Sequence, residues 1–334
     1  MQETHALSPD TLSLFYEEPD SDRWLPLDRY LRRAIRRIIR GKPRAGGHAR
    51  VFLNLCAGLD KLGVRYRVND YAYIKQHPHE IACIIGKPHV LDKIKWANPI
   101  LFGAAVFSHP LEQPGFFQKY PTVRKILVPG DWMRKMWDPY FGDKVKSWAV
   151  GVDTDLWSPS SNEEKRFDFL LYDKVMWHHE EYERTLLDPI RAELRRRKRS
   201  FSEIRYGYYH EEEFHELLQQ CRAMIFLCEH ETQGIAYQQA LSCGVPILAW
   251  DRAGYWQDPS FYPDKVKYGP VSSVPYWNER CGVKFCDSGE FEKALLEFVS
   301  KLSANSLAPR EYILNNLSLE KCARHYLDIF QSLS

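Results

Sequence analysis

Short apolar runs alternate with longer helical stretches along this chain, and the alternation occurs as two successive series within 334 residues. A pattern of this kind predicts β-α-β units with parallel strands, because each crossover helix must return the chain to the same end of the sheet. The first series is LSLFYE (12–17), VRYRVN (64–69), EIACIIG (80–86), ILFGAAVF (100–107), VRKILV (123–128) and VKSWAV (145–150). The clearest helix between them is ARVFLNLCAGLDKLG, where Val51, Phe52, Leu55 and Leu59 share a face and Gly63 supplies the stop. After the polar stretch SPSSNEEKR (158–166) come FDFLLY (167–172), SEIRYG (202–207), AMIFLC (223–228), VPILAW (245–250) and VKFC (283–286). The expected organisation is two doubly wound, Rossmann-like α/β domains, residues 1–150 and 151–310, with 311–334 as a C-terminal helix able to pack back on the first domain.

With 44% of residues hydrophobic, the chain can bury two cores of ordinary size. No apolar run reaches the length of a membrane span, and the start, MQETHALSPD, lacks the basic and apolar regions of a secretion signal, so a cytoplasmic location is expected. The eight cysteines form no C-x-x-C pair and most sit in apolar runs, which predicts reduced, structural thiols. A net charge of +2 hides a local imbalance, because residues 29–44 hold seven arginines and one lysine with no acid. On a helix, Leu31, Ile35, Ile38 and Ile39 would form an apolar stripe surrounded by Arg29, Arg32, Arg33, Arg36, Arg37 and Arg40. That suits an anionic membrane surface, hence a peripheral position at the inner face of a membrane, or a phosphorylated acceptor. Packing on the first domain with a solvated basic face explains it equally well. Nucleic acid is not expected, since the near-neutral chain carries no recognised binding module. The cluster RRRKRS (195–200) reads as the solvated end of a helix.

The stretch CEHETQGIAYQQALSCGVP (228–246) carries the chemistry. It follows a strand and opens a helix, and in open parallel sheets ligands bind outside the carboxyl ends of the strands. Unpaired N–H groups at a helix start favour an anion, and Gly234 lets a ligand approach the backbone. Glu231 can accept two hydroxyl hydrogen bonds, as a sugar diol would offer. Gln239 would lie about 80° around the helix from Glu231 if both were helical, so that the two could serve one cleft. The plain alternative is that Glu229 and Glu231 cap the helix and neutralise its dipole.

On Glu231, Gln239, Ala240, Gly244 and Pro246, this stretch resembles the donor-site signature of retaining GT-B glycosyltransferases of the large glycosyltransferase family 4 type. Residues 128–159 resemble that family's junction between domains, including the turn Gly151-Val152-Asp153-Thr154. Gly46 and Gly47 match its glycine-rich loop, and AAVFSHP places His109 where many members carry an active-site histidine. The resemblance covers roughly residues 46–255. It implies the GT-B fold, with two domains facing across a cleft. It also implies transfer of a sugar, with retention, from a nucleotide-diphosphate sugar to a glycan, a lipid-linked or a small-molecule acceptor, without cofactor or metal. On this reading His109 and Glu231 are catalytic. Gly46, Gly47, Lys174, Thr232, Gln233, Gly234, Ile235 and Gln239 contact the donor, with Glu231 and Lys174 exposed in the cleft.

Two departures from the family pattern matter. Gln239 stands where a ribose-holding carboxylate is expected, which removes a charge-assisted component of about 1–2 kcal/mol, and the adjacent Gln238 leaves open which amide points inward. After FDFLLY the expected Gly-Arg is replaced by Asp173-Lys174. Lys174 is then the candidate for the diphosphate, while His178, His179 and Arg184 remain open as the second cation, with no Asp-x-Asp beside the histidines. Two other functions fit the same residues: a catalytically silent sugar-nucleotide or glycan-binding protein, and a GT-B sugar-nucleotide epimerase.

Overall fold

Each of the eleven apolar runs forms a strand, in two parallel sheets. The computed structural model describes residues 11–18, 47–104, 107–160 and 164–333, so Gly46, the arginine-rich stretch 29–44 and the middle of SPSSNEEKR lie outside the described residues. The first sheet holds β1 (Leu12–Phe15), β2 (Tyr66–Val68), β3 (Ala82–Ile84), β4 (Ile100–Gly103), β5 (Val123–Val128) and β6 (Val145–Ser147) in the order β2-β1-β3-β4-β5-β6. The second holds β7 (Phe167–Lys174), β8 (Phe201–Arg205), β9 (Cys221–Cys228), β10 (Ile247–Trp250) and β11 (Gly282–Phe285) in the order β11-β10-β9-β7-β8.

The inner strands read as apolar runs because they are covered on both faces, whereas the edge strands β2, β6 and β8 carry polar residues that are not buried. Every residue of β3, β4 and β10 is buried, and in β9 only Arg222 is exposed. Several runs extend past the strand they predict, since Ile85 and Gly86 after β3 are as buried as the strand itself. The run FDFLLY errs the other way. Its strand continues to Lys174, because Asp173 and Lys174 still pair with Leu227 and Cys228 of β9.

The longer helices are α1 (Gly47–Lys61), α2 (Asp131–Phe141), α3 (Asp188–Arg196), α4 (Glu211–Gln220), α5 (Ile235–Ser242), α6 (Phe291–Ser303), α7 (Pro309–Asn316) and α8 (Leu319–Gln331). In α1, Val51, Leu55 and Leu59 recur every four residues and are buried, while Phe52 is half-buried and stacks on Tyr16 with ring centroids 4.9 Å apart. The basic cluster after α3 is not simply solvated. Arg196 and Arg197 both bond Glu193 of α3 and Glu292 of α6, so the cations fasten two helices together.

The chain divides into two compact units. One comprises the residues up to Pro129, Trp137–Val150 and the chain from Cys322 on; the other comprises Gly130–Met136 and Gly151–Lys321. In the first unit the Trp148 Nε1 proton is donated to the Cys322 carbonyl at 2.9 Å, and the indole packs edge-on to Tyr326 at 5.0 Å. The core of the second unit gathers Phe169, Leu171, Ile225, Leu248, Phe291 and Phe298 around the central strands. All eight cysteines are free thiols, and only Cys286 is exposed. Among the described residues no helix is long and apolar enough to cross a membrane.

The turn 151–154 is held by two devices. The Asp153 carboxylate accepts the backbone N–H groups of Asp155 and Leu156, both at 3.1 Å. Arg310 of α7 donates to the carbonyls of Thr154 at 2.9 Å, Trp157 at 3.0 Å and Ser242 at 2.5 Å, tying the turn to the end of α5. Gly151 passes so close to the start of α8 that a Cβ there would lie 2.5 Å from the Leu319 Cα and 2.9 Å from the Ser318 carbonyl oxygen. Gly151→Ala is therefore expected to destabilise the protein by about 1–3 kcal/mol through overpacking against backbone. Urea denaturation measures this, and a midpoint equal to that of the wild type would contradict the close approach.

Candidate functional site

In the second sheet β8 lies on one side of β7 and β9, β10 and β11 lie on the other, so the strand order reverses between β7 and β9. This is the topological switch point, where an open parallel sheet leaves a crevice at its carboxyl edge. Lys174 ends β7, and Glu229, His230 and Glu231 follow β9 directly.

Glu231 and Lys174, expected to be exposed in the cleft, are not: Glu231 is 8% exposed, the Lys174 side chain 17%, and the neighbouring acid Glu229 is buried as well. The reason is that each acid has been given a partner from the end of β7. The Glu229 carboxylate accepts the backbone N–H groups of Met176, at 2.9 and 3.1 Å, and of Trp177, at 2.7 Å. Glu231 forms an ion pair with Lys174, which is itself largely buried, with its ammonium 4.4 Å from the centre of the Tyr206 ring. Burial pulls the Lys174 ammonium toward losing its proton, but the neighbouring charge of Glu231 outweighs this and holds it protonated well above its ordinary range. The Glu231 backbone is pinned as well. Its N–H donates to the Ser272 carbonyl at 2.9 Å, and its carbonyl accepts the Trp132 Nε1 proton at 2.8 Å.

Neither acid caps the helix that follows. The cap of α5 is Gly234, in the left-handed region with φ 84°, and no side chain bonds the helix start. A Cβ at Gly234 would fall 2.1 Å from the Tyr237 ring, so glycine is required for both conformation and space. Glu231 lies outside α5, so the angular relation expected between Glu231 and Gln239 on one helix does not apply. Thr232 and Ile235 are half-buried on either side of the buried Gln233 and Gly234. The two neighbouring amides are distinguished by their bonds. Gln238 is fully buried and reciprocally bonded to Gln233, its Nε2 donating to the Gln233 carbonyl at 2.8 Å. The Gln239 side chain, 8% exposed, bonds to none of the described residues.

Of the three candidate second cations, His179 places Nε2 2.7 Å from Asp173 Oδ2, and Asp173 also accepts the Val175 N–H at 3.0 Å. His178 is exposed in the left-handed region at φ 52°, and Arg184 is exposed with its Nε donating to the Glu180 carbonyl. Sequence reasoning missed Arg252, two residues beyond β10. Its Nη1 donates to the Tyr182 hydroxyl at 2.8 Å. It also missed the setting of His230, whose ring lies 5.6 Å from Trp132 and 4.9 Å from Trp177. An arginine just past the end of an apolar strand was the available signal.

In the first unit Gly47 opens α1, and His109 follows the run of β4. His109 is 0% exposed, and its Nδ1 accepts the Leu111 N–H at 3.1 Å, while Glu112 Oε1 accepts the N–H groups of Ser108 and His109. The histidine thus caps the short turn Pro110–Glu112, with its ring 4.9 Å from Tyr140.

No family model matches the chain, and no curated protein matches it. Among solved structures, TarM is similar over 78% of this chain and 57% of its own, with a TM-score of 0.53 and 12% identity. This chain therefore spans little more than half the length of TarM. Anabaena HepE, solved in complex with UDP and glucose, is similar over 97% of this chain and 99% of its own, with a TM-score of 0.50 and 9% identity. The fold is GT-B. A TarM variant of S. aureus, solved in complex with fondaparinux, alpha-GlcNAc-glycerol and UDP, superimposes with a TM-score of 0.51 at 12% identity.

The two buried histidines give the protein a pH signature. Burial lowers His109 to about 4, and burial together with the charges of Arg252 and Lys174 lowers His230 to about 3. An unfolded histidine takes up its proton near pH 6.5, so each contributes stability that is present above that pH and lost as the pH falls toward the folded value. Each is expected to add a slope of up to about 1.4 kcal/mol per pH unit in that window. Denaturation curves from pH 6.5 to 4.5 should show a shallower loss in His109→Gln and in His230→Gln than in the wild type; parallel curves would contradict the assignment.

Proposed function

We propose that this protein is a metal-independent, retaining glycosyltransferase of the family 4 type, which takes a nucleotide-diphosphate sugar on its second unit and transfers the sugar to a hydroxyl of a glycan, a lipid-linked or a small-molecule acceptor. The observation that carries this reading is the buried Lys174–Glu231 pair at the switch point between β7 and β9, directly ahead of a helix opened by Gly234.

The roles follow from chemistry. A lysine ammonium has three protons, and the one spent on Glu231 leaves two for a phosphoryl oxygen. The N–H groups of Ile235, Ala236 and Tyr237 lack acceptors within α5 and meet the same anion. The second Glu231 oxygen accepts a sugar hydroxyl, and the Gln239 amide serves a ribose hydroxyl. As the bond from the sugar C1 to the diphosphate breaks, its electron pair leaves on the phosphoryl oxygen, where Lys174 and the helix start stabilise it. The acceptor hydroxyl bonds to C1 on the same face, and its proton passes to the departing phosphoryl oxygen. Glu229 and Glu231 are committed to other groups, which favours leaving-group assistance over attack by an enzyme carboxylate.

UDP appears with two of the similar structures, HepE and the TarM variant, so UDP-sugars are the first donors to try. The stretch 29–44 would bring the enzyme to an anionic membrane surface. The glutamine at Gln239 keeps one rival open, a protein that binds sugar nucleotides without turning them over. The test is a transfer and hydrolysis assay across UDP-, GDP-, ADP- and TDP-sugars. Glu231→Gln and Lys174→Ala should each lower kcat/KM about 10²-fold or more. Lys174→Ala also leaves Glu231 buried without its partner and should cost about 3–5 kcal/mol of stability, whereas Lys174→Met combined with Glu231→Leu should restore stability without restoring activity. Binding of a sugar nucleotide with no transfer by the wild type would support the silent rival, and unchanged kinetics in both single variants would remove the site.

A further inference from the structure

The acids at the carboxyl ends of β9 and β10 are all committed. Glu229 holds the amides of Met176 and Trp177, and Glu231 holds Lys174. Asp251 accepts the Ser272 hydroxyl at 2.9 Å, the Ser273 N–H at 2.9 Å and the Lys284 ammonium at 2.7 Å. None of them bonds Arg252, the residue after Asp251. Its guanidinium is fixed on one side by the Tyr182 hydroxyl and sits 5.7 Å from the centre of the Trp250 ring, against which Tyr182 packs edge-on at 5.0 Å. Its Nε and Nη2 are shielded from solvent and have no hydrogen-bond partner among the described residues.

Those two nitrogens form one edge of the guanidinium, with parallel N–H bonds spaced to match two oxygens of a phosphate or carboxylate. A buried guanidinium whose open edge is the bidentate one costs stability unless an oxyanion fills it. Beside it stands His230, with both ring nitrogens likewise buried and unpartnered among the described residues. Burial, and after it the charges of Arg252 and Lys174, disfavour protonation of this ring, so the imidazole is neutral, with one N–H to donate. The register aligns Trp250 of β10 with Leu227 of β9, so Arg252 and His230 both follow closely on the paired carboxyl ends of adjacent strands.

We propose that the Nε and Nη2 protons of Arg252, with one N–H of His230, form a seat for a phosphoryl oxyanion, occupied by the diphosphate of the nucleotide sugar. Arg252 is then the second diphosphate cation, supplied from β10 in place of a residue after β7. The identity of the occupant rests on the function proposed above; the seat itself does not.

The experiment is isothermal titration of the full chain and of Arg252→Gln, Arg252→Lys and Tyr182→Phe with inorganic pyrophosphate and with UDP, GDP, ADP and TDP, alongside the melting temperature of each ligand-free protein. Arg252→Gln should weaken pyrophosphate and the preferred nucleoside diphosphate by about 30-fold or more. Arg252→Lys should recover only part of this, because an ammonium cannot present two parallel N–H bonds. Tyr182→Phe, which frees the guanidinium to turn, should give a smaller loss. The ligand-free Arg252→Gln protein should melt no lower than the wild type, since it sheds an uncompensated buried charge. Arg252-dependent binding of pyrophosphate with no binding of any nucleoside diphosphate would keep the seat and overturn the occupant together with the nucleotide-sugar reading. Undiminished binding in Arg252→Gln, a lowered melting temperature in that variant, or no binding of any probe by the wild type would overturn the seat.

Discussion

The second unit is organised around the way the end of β9 is bound to the end of β7. Glu229 spends its carboxylate on two backbone amides of the turn after β7, and Glu231 spends its own on the last residue of that strand. Without Glu229 those two amides would lose their charge-assisted acceptor. The crevice of the switch point is thus held by ionic and charge-assisted bonds that bridge 52 to 57 residues of sequence. The loop that leads to α5 is equally constrained, by Trp132 from one side and Ser272 from the other. The direction in which the α5 N–H groups point follows from those contacts, so the capacity of this edge for anions is built in before any ligand arrives.

The sequence was legible where burial is two-sided. The inner strands of the parallel sheets announce themselves as apolar runs, and the glycine and proline that follow α5 mark its end and the restart at β10. The position of the 228–246 motif at a strand end was legible for the same reason. Its surroundings were not. An acid in a polar stretch looks exposed until the amides of Met176 and Trp177, distant in sequence, are seen to arrive at it. The ambiguity between Gln238 and Gln239 could be resolved only by the bond to Gln233, because helix periodicity separates neighbours by angle without naming their partners. Arg310 gives little signal in a pattern of side chains, since its shorter bonds all go to backbone carbonyls.

Charge is distributed unevenly around this edge. Glu229, Glu231 and Asp251 are each bonded to groups that belong to the fold, whereas Arg252 retains an open edge and Lys174 retains protons beyond the one given to Glu231. The local field is therefore more positive than a count of acids and bases would suggest, and the amino end of α5 adds to it. His230 records that field in its own chemistry, being held neutral by burial and by the two cations. A neutral imidazole in such a place can donate to an anion without adding a further charge that would have to be compensated when the site is vacant.

The path of the chain between its two units has a consequence for dissection. The backbone leaves one unit for the other at Pro129, Met136, Val150 and Lys321, so neither unit is a single uninterrupted piece of polypeptide. A cut at Val150, the place a linear map would suggest, strands residues 130–136 with the wrong fragment and deprives Trp148 of the Cys322 carbonyl and the Tyr326 ring that complete its surroundings. Evolution by shuffling would meet the same obstacle. The two units cannot be exchanged between relatives by one recombination event, and must be inherited as a pair.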